Sequence, residues 1–382
     1  MPGQKLPSQP QAIKRRAKEL GFELVGIAPA KPPAHGEFYM DWLSRGFAGA
    51  MAYLWRPDAV RRRLDPTEAL PGARAIVVVA MNYLNGNEGP AADPSRPVIA
   101  RYARGTDYHA VFEEKLEALA KSLGEIVGGQ PSVLCYVDYG PVLERDHAQR
   151  AGLGWIGKNT LLINSDIGSY VFLGEILTDA PLDFDEPFVP DHCGTCERCI
   201  DACPTGAIVG PREVDSRLCI SYLTIELRGP IPRQLRPLIG NRVFGCDICQ
   251  EVCPWNNEAP MTTEERFLPR VDIVGPKLVQ LMDVDEDEFS KRYGDTPMSR
   301  GKRRGLLRNV AVALGNWGDP VALPALERGL NDDDELVRGH SAWSLGRLGI
   351  TEAHEALRAR ARLETDRWVL EEIGLAMNDE PD

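Results

Sequence analysis

The sequence predicts a mixed α/β (α+β) layer domain, followed by a small cysteine-rich domain and then an α-helical array. Three observations lead to this prediction. Four apolar runs lie in the first half of the chain, eight of the nine cysteines lie between Cys193 and Cys253, and a leucine–glycine pattern repeats near the end. With 382 residues, the chain is long enough for several domains with a sizeable core.

The layer domain is predicted to begin with a helix. Ser8 and Gln11 form a capping box, and Ile13 and Ala17 then fall on one helical face. A second helical pattern covers residues 111–123. The apolar runs predict buried strands over residues 23–27, 75–81, 132–137 and 170–177.

The cysteine-rich domain has the pattern of a ferredoxin-like domain with two 4Fe-4S clusters. The run from His192 to Pro204 spaces four cysteines by three, three and four residues, and the run from Cys246 to Pro254 adds three more. In bacterial ferredoxins the last cysteine of such a run binds the other cluster. The spacing therefore predicts two sets of ligands: Cys193, Cys196, Cys199 and Cys253 for one cluster, and Cys203, Cys219, Cys246 and Cys249 for the other.

Two other interpretations of these cysteines fit less well. Structural zinc also uses paired CxxC motifs, but zinc ribbons do not usually contain three-cysteine runs that end in Cys-Pro. Disulfides require an oxidising compartment. The sequence shows no apolar signal core at its start and no run of eighteen apolar residues, so we expect a cytoplasmic protein without a membrane span.

The C-terminal region contains an internal repeat. Leu314-Gly315 recurs thirty-one residues later as Leu345-Gly346, and the surrounding segments fit paired helices. Helix pairs of this length resemble HEAT-like repeats, of which about two and a half units fit this region. We expect the array to hold a partner, and an array on a compact body suggests a monomer. The predicted domains are residues 1–190 (layer), 191–257 (ferredoxin-like), 258–300 (connecting segment) and 301–382 (HEAT-like).

A basic run stands just before the repeat. Cations at the start of a helix gain nothing from the helix dipole, so the run is either a solvated basic edge or a surface that contacts phosphates. The formal net charge of −12 argues against nucleic-acid binding through bulk electrostatics, but not through such a local patch. The cations of this run are Arg300, Lys302, Arg303, Arg304 and Arg308.

A glycine-rich stretch follows the third predicted strand. It reads VDYGPVLERDHAQRAGLGWIGKNT from Val137 to Thr160, and its glycines allow a ligand to approach the backbone closely, although no complete nucleotide-binding pattern is present. This stretch, RYARGTDYH from Arg101 to His109, the two cysteine runs and the repeat together resemble the epoxyqueuosine reductase family over essentially the whole chain.

The resemblance implies a cobalamin-dependent oxidoreductase that reduces the epoxide of epoxyqueuosine at the wobble position of a tRNA anticodon, giving queuosine. The layer domain would bind cobalamin, and electrons from a donor of flavodoxin or ferredoxin type would pass singly through the two clusters. Asp138 matches the family's proton donor, a role for which we expect a raised pKa in a partly desolvated pocket. We expect cofactor contacts from Tyr102, Asp138, Lys158 and Asn159, and tRNA contacts from the basic run.

His109 is not assigned as a cobalt ligand. Residues 107–112 nearly match the Asp-x-His-x-x-Gly pattern of cobalt-binding histidines, but Phe112 stands where glycine is needed. A cobalt without a protein histidine is easier to reduce, because a strong axial donor stabilises the higher oxidation state. The departure from the pattern therefore agrees with the implied chemistry.

Two other functions stay open from the sequence. A reductive dehalogenase-like enzyme shares the clusters and the cobalamin but acts on small halogenated molecules, and such enzymes usually carry export signals, of which this sequence shows none. A ferredoxin-type electron carrier would leave the stretch around Asp138 unexplained.

Overall fold

The computed structural model describes residues 8–86 and 93–378. The predicted domains also include residues 1–7, 87–92 and 379–382, which lie outside the described residues. None of the helices in the described ranges is long and apolar enough to cross a membrane.

The strands of the described residues are β1 (Leu24–Pro29), β2 (Ala75–Asn82), β3 (Val98–Ile99), β4 (Val133–Tyr136), β5 (Trp155–Ile156), β6 (Leu162–Ile163), β7 (Val171–Thr178), β8 (Ile208–Gly210), β9 (Glu213–Val214) and β10 (Arg242–Phe244). The α-helices are α1 (Gln9–Glu19), α2 (Gly36–Ser44), α3 (Ala52–Trp55), α4 (Pro57–Leu64), α5 (Tyr108–Val127), α6 (Glu144–Arg150), α7 (Arg198–Asp201), α8 (Ile220–Ile225), α9 (Arg236–Ile239), α10 (Ile248–Glu251), α11 (Val271–Val274), α12 (Leu278–Leu281), α13 (Glu286–Tyr293), α14 (Lys302–Trp317), α15 (Leu323–Leu330), α16 (Glu335–Leu348), α17 (Thr351–Ala361) and α18 (Arg367–Asn378).

The layer domain is built on a four-stranded antiparallel sheet in the order β1-β2-β7-β4. These are the four strands that the apolar runs predict, within two residues at each end. The central strands β2 and β7 pair from Ala75 opposite Thr178 to Asn82 opposite Val171. Every residue of β2 is buried. A strand buried along its whole length needs cover on both faces of the sheet.

Helices supply that cover. α1 and α5 pack on one face, where Phe172 and Ile176 of β7 join the core. α6 packs on the other face, against the cluster that contains Leu173 and Leu177. Because successive strand residues point to opposite faces, Glu175 also points to the α6 side.

The cysteine-rich segment consists of short turns and single helical turns. Cys199 lies in α7 and Cys249 in α10, and the nine cysteines form no disulfide. β10 joins this segment to the layer domain, because Arg242 and Phe244 pair in parallel with β3. The cysteines are therefore held against the layer domain.

The predicted repeat is present as the helix pairs α14–α15 and α16–α17, followed by α18. α16 packs between α14 and α18, and one apolar core runs through all five helices. Ile273, Leu278 and Phe289 of the connecting segment belong to the same core. α14 also contacts the cysteine-rich segment, where Asn309 Nδ2 donates hydrogen bonds of 2.8 Å to the carbonyl oxygens of Thr224 and Val243.

Candidate active site and cluster-binding cysteines

Four cysteines surround a cavity of about 260 Å³. They are the four that the spacing assigns to one cluster: Cys193, Cys196, Cys199 and Cys253. Trp155 and Trp255 pack edge to face beside this cavity, with ring centres 5.0 Å apart. The cavity thus combines sulfur donors with apolar walls.

The remaining cysteines of the two runs lie next to this group. Burial raises the pKa of Cys219, Cys246 and Cys249, and for Cys246 the value reaches about 12. A neighbouring cysteine raises each of these pKa values further: Cys203 acts on Cys219, and Cys219 on the other two. Cys199 of the first group also raises the pKa of Cys249, so the two groups are adjacent.

Thiols in this setting fit iron–sulfur clusters. Their grouping is the one that the ferredoxin pattern predicts, and desolvation is the first cause of their raised pKa values. A single zinc ion would need four sulfurs roughly 3.8 Å apart, given a Zn–S distance of about 2.3 Å. Within the described ranges, no group of three or more Cys, His, Asp or Glu side chains converges closely enough to hold one metal ion. The cysteine run that ends in Cys-Pro is the observation that favours clusters over zinc.

Asp138 lies in the turn after β4 with a left-handed backbone, at a φ of 56°. Aspartate and asparagine adopt this conformation more readily than most residues, and strain of this kind is common at functional sites. The Tyr108 hydroxyl donates a 2.8 Å hydrogen bond to the Asp138 carboxylate, and His109 Nε2 lies 3.6 Å from the same oxygen. The Asp138 N–H donates a 2.6 Å hydrogen bond to Glu144 Oε1. Groups from α5 and α6 therefore fix this carboxylate.

The expectation of a raised pKa at Asp138 is wrong for this arrangement. Burial alone would raise the pKa, but the hydrogen bonds with His109 and Tyr108 outweigh it, and the pKa is lowered. His109 responds in the opposite sense. Burial alone would lower its pKa, but Asp107 and Asp138 raise it to about 9. At neutral pH the pair is therefore a carboxylate beside an imidazolium.

A second cavity, of about 230 Å³, opens beside Asp138. Tyr83, Tyr108, Phe172 and Leu161 line it together with polar side chains, which are Asp138, Glu144, Arg145 and Ser169. The Asp138 side chain is 64% exposed, so its carboxylate is accessible from the cavity. This arrangement can hold a ligand with both aromatic and polar surface against a placed carboxylate.

The cofactor contacts expected from the sequence are only partly brought together. Tyr102 packs edge to face against Tyr108, with ring centres 6.3 Å apart, and so lies near Asp138. Lys158 and Asn159 instead line the cavity of the first cysteine group. Asn159 Nδ2 there lies 3.5 Å from the carbonyl oxygen of Cys249, at the limit of a hydrogen bond. These two residues thus lie at the first cysteine group, and their contact with cobalamin stays a prediction.

The basic run is also corrected. Arg308 is 1% exposed, and its guanidinium donates hydrogen bonds of 2.6 to 2.9 Å to the carbonyl oxygens of Leu223, Leu227 and Gly229. The expectation that Arg308 contacts tRNA is therefore wrong, because its donors are buried and already used.

The other arginines of the run form ion pairs. Arg300 pairs with Glu226 at 3.0 Å, Arg303 with Asp332 at 2.6 Å, and Arg304 with Asp334 at 2.9 Å. Arg303 is also mostly buried, whereas Lys302 and Arg304 are exposed. Lys302, Arg304 and Arg300 are thus the members of the run that remain accessible to a polyanion.

Sequence reasoning missed the groups that surround Asp138. Tyr108 and His109 lie about thirty residues earlier in the chain, and only the fold brings them to the carboxylate. The sequence does mark Glu175, because a glutamate interrupts an otherwise apolar strand at this position. Glu144 lay within the stretch that carries the resemblance, but nothing in the pattern set it apart.

Two adjacent groups of cluster-type cysteines beside a cavity with a fixed carboxylate define an iron–sulfur oxidoreductase. Three family models match the chain: the 4Fe-4S double cluster binding domain over residues 192–256, Epoxyqueuosine reductase QueG, DUF1730 over residues 63–139, and HEAT repeats over residues 302–378. The predicted cluster domain and helical repeat are thereby confirmed. The chain belongs to the epoxyqueuosine reductase family.

Curated relatives and solved structures agree with this assignment. The epoxyqueuosine reductase of Pseudomonas aeruginosa is 44% identical over 89% of this chain and 95% of its own, and that of Escherichia coli K12 is 43% identical over 88% of each. A crystal structure of epoxyqueuosine reductase with an epoxyqueuosine-modified stem loop of tyrosine tRNA is 32% identical, with a TM-score of 0.89 over 96% of this chain and 97% of its own. The Bacillus subtilis enzyme, solved with its catalytic aspartate loop swung out, is 31% identical, with a TM-score of 0.87 over 96% of this chain and 97% of its own.

Proposed function

We propose that this protein is an epoxyqueuosine reductase, which reduces the epoxide of epoxyqueuosine at the wobble position of a tRNA anticodon to give queuosine. The observation that carries the proposal is the accessible Asp138 carboxylate beside the cysteine groups, in a chain of this family. Family membership favours this function over a small-molecule reductase or an electron carrier.

The two cysteine groups would hold one 4Fe-4S cluster each, with the ligand sets that the spacing assigns. The second group lies closer to the Asp138 cavity. Tyr83 lines that cavity, and its hydroxyl accepts a 3.4 Å hydrogen bond from Gln250, the neighbour of Cys249. Electrons from an external donor of flavodoxin or ferredoxin type would enter at the first cluster and leave from the second. Lys158 and Asn159 would shield the first cluster.

Cobalamin is the cofactor that we propose for the second cavity. Its wall combines the rings of Tyr83, Tyr108 and Phe172 with polar side chains such as Arg145 and Ser169, and so offers contacts to both the ring and the amide side chains of a corrin. His109 is engaged on both ring nitrogens by Asp107 and Asp138, which supports a cobalt without a protein histidine ligand. When bound, cobalamin would supply a strongly reducing cobalt centre for the epoxide.

The protein's own residues would orient the epoxide and manage protons. The Asp138 carboxyl faces the cavity and would deliver a proton to the oxygen as it leaves the ring. Its left-handed backbone and its bonds to Tyr108 and Glu144 fix the direction of that delivery. A positioned acid of this kind typically contributes about 10²- to 10⁴-fold to a rate.

The domains would divide after residues 190, 257 and 300. The HEAT-like array would help to hold the tRNA. Lys302, Arg304 and Arg300 are the candidate phosphate contacts. A wobble base lies in a single-stranded loop and can be splayed out into a pocket at low cost. We further propose that the protein acts as a monomer in the cytoplasm, where its tRNA substrate is found.

The test is anaerobic incubation of reconstituted protein with a reductant and epoxyqueuosine-containing tRNA, with and without cobalamin, followed by mass analysis of the nucleosides. Loss of one oxygen only with cobalamin is the expected result. Asp138→Asn keeps the backbone conformation and should lower turnover about 10²-fold or more with unchanged cluster content. Asp183→Asn, at an exposed carboxylate, is the matched control. No conversion by protein with full clusters and bound cobalamin would contradict the proposal.

A further inference from the structure

The proposed reaction consumes two protons. Removal of the epoxide oxygen as water breaks two C–O bonds, forms one C=C bond and uses two electrons and two protons. The external donor supplies the electrons through the clusters. Asp138 is ionised at rest, because His109 and Tyr108 hold its pKa low. A protonated neighbour must therefore load Asp138, and the imidazolium of His109 is already engaged by Asp107 and Asp138.

Glu144 is placed to do so. It lines the same cavity as Asp138, and its Oε1 accepts the Asp138 N–H at 2.6 Å, so one short turn carries both carboxyl groups. Burial, and then the charge of Asp138, raise the pKa of Glu144 to about 8. At neutral pH Glu144 thus carries a proton that Asp138 does not.

A second carboxyl group stands behind Glu144. Glu175 on β7 is fully buried, in the face of the sheet that holds Leu173 and Leu177. Neither of its carboxyl oxygens has a hydrogen-bond partner in the described ranges of the chain. An ionised carboxylate in this setting would cost several kcal/mol, so Glu175 holds its proton. Burial and then the charge of Glu144 raise its pKa well above the ordinary value.

We propose that Glu144, with Glu175 behind it, is the proton store that reloads Asp138 during the reduction. The inference rests on the proposed function. In the loading step the O–H bond of Glu144 breaks, and the Asp138 carboxylate gains the proton directly or through one water molecule. Asp138 then passes the proton to the departing oxygen. Glu144 acts through Asp138 and need not touch the substrate.

The charges around Glu144 decide the direction of its pH dependence. Arg145 on its own helix and Arg63 on α4 lower its pKa, whereas Asp138 raises it. Glu175 faces it from β7. The store is loaded below about pH 8 and empties as the pH rises through that value. Turnover should therefore fall on the alkaline side.

Glu144→Gln is the decisive variant, because the glutamine oxygen still accepts the Asp138 N–H but the side chain carries no acidic proton. Glu125→Gln, at an exposed glutamate of α5, is the matched control. In wild type and control, kcat should fall with an apparent pKa near 8. In E144Q, kcat at neutral pH should be lower than in wild type by at most about tenfold, and the fall of kcat at alkaline pH should be absent. Glu175→Gln should keep the fall and lower turnover.

Infrared difference spectra between neutral and alkaline pH give a readout that does not depend on turnover. A protonated-carboxyl band should disappear with rising pH in wild type and control, and should be absent from E144Q. Identical kcat profiles for wild type and E144Q would overturn the store, as would conversion of the tRNA by a wild type that lacks the band. A wild type with the band but without conversion would instead refute the proposed function, and with it the role of the store.

Discussion

His109 should titrate with a pKa of about 9, well above its ordinary value of 6.5. Burial alone would lower the pKa, so the carboxylates of Asp107 and Asp138 must provide more than the whole rise. A rise from 6.5 to about 9 corresponds to between about 3 and 4 kcal/mol, at about 1.36 kcal/mol per pKa unit. Because the folded pKa is raised, this stabilisation is fully present below pH 6.5 and is lost as the pH rises through about 9.

The two carboxylates should contribute unequally. Asp107 Oδ1 lies 2.7 Å from His109 Nδ1 and its side chain is 29% exposed, whereas Asp138 Oδ2 lies 3.6 Å from Nε2 and its side chain is 64% exposed. The shorter and less exposed pair should be the stronger, because solvent screens it less. Asp107→Asn should therefore lower the His109 pKa by about one unit or more, and Asp138→Asn by less.

The assay is NMR titration of protein labelled with carbon-13 at histidine Cε1. The chain has six histidines, so the signal that His109→Gln removes is readily assigned. Asp183→Asn, at an exposed and distant carboxylate, should leave the signal unchanged. A His109 pKa at or below 6.5 in the wild type, or a larger drop in Asp138→Asn than in Asp107→Asn, would refute this account of the site.

Three further predictions concern the helical array and the cysteine region. Arg308→Met should lower the unfolding midpoint by an amount equivalent to roughly 3 kcal/mol, seen by circular dichroism, because it leaves buried carbonyl groups without donors; an unchanged midpoint would contradict its burial. Lys302→Glu should weaken tRNA binding and reduce the slope of log Kd against log salt by about one. Arg303→Glu should instead destabilise the fold, because the new glutamate would face Asp332. If Arg303→Glu weakened tRNA binding at wild-type stability, Arg303 would be a tRNA contact and not a structural residue. Gly154→Ala should lower iron content and the unfolding midpoint together, because its Cβ would lie 2.1 Å from a carbonyl oxygen of β6; normal iron loading would show that the hairpin adjusts.

Much of the fold could be predicted because it follows from local periodicity. The four buried strands lie within two residues of the apolar patterns that indicated them, and the paired helices are present where the repeat predicts them. The grouping of Cys193, Cys196, Cys199 and Cys253 follows from spacing alone, because short turns leave the chain few ways to bring these sulfurs together.

The rest depends on contacts between distant parts of the chain. Charge spacing indicated that Arg308 faces solvent, but it could not show that α14 turns this residue toward a row of carbonyl groups at 223–229. The pKa of Asp138 is set by Tyr108 and His109, which no local pattern connects to it. Lys158 stands in the stretch that carries the family resemblance, yet the β5–β6 hairpin places it beside the cysteines.

The hydrogen bonds of α14 connect the helical array directly to the backbone of the cysteine-rich segment. Asn309 holds the carbonyl groups of Thr224 and Val243, which lie shortly after Cys219 and shortly before Cys246. An array that unfolds would release the backbone next to Cys219 and Cys246, two of the four ligands predicted for the second cluster. We expect a protein with an unfolded array to lose that cluster as well, so that it no longer passes electrons to oxygen.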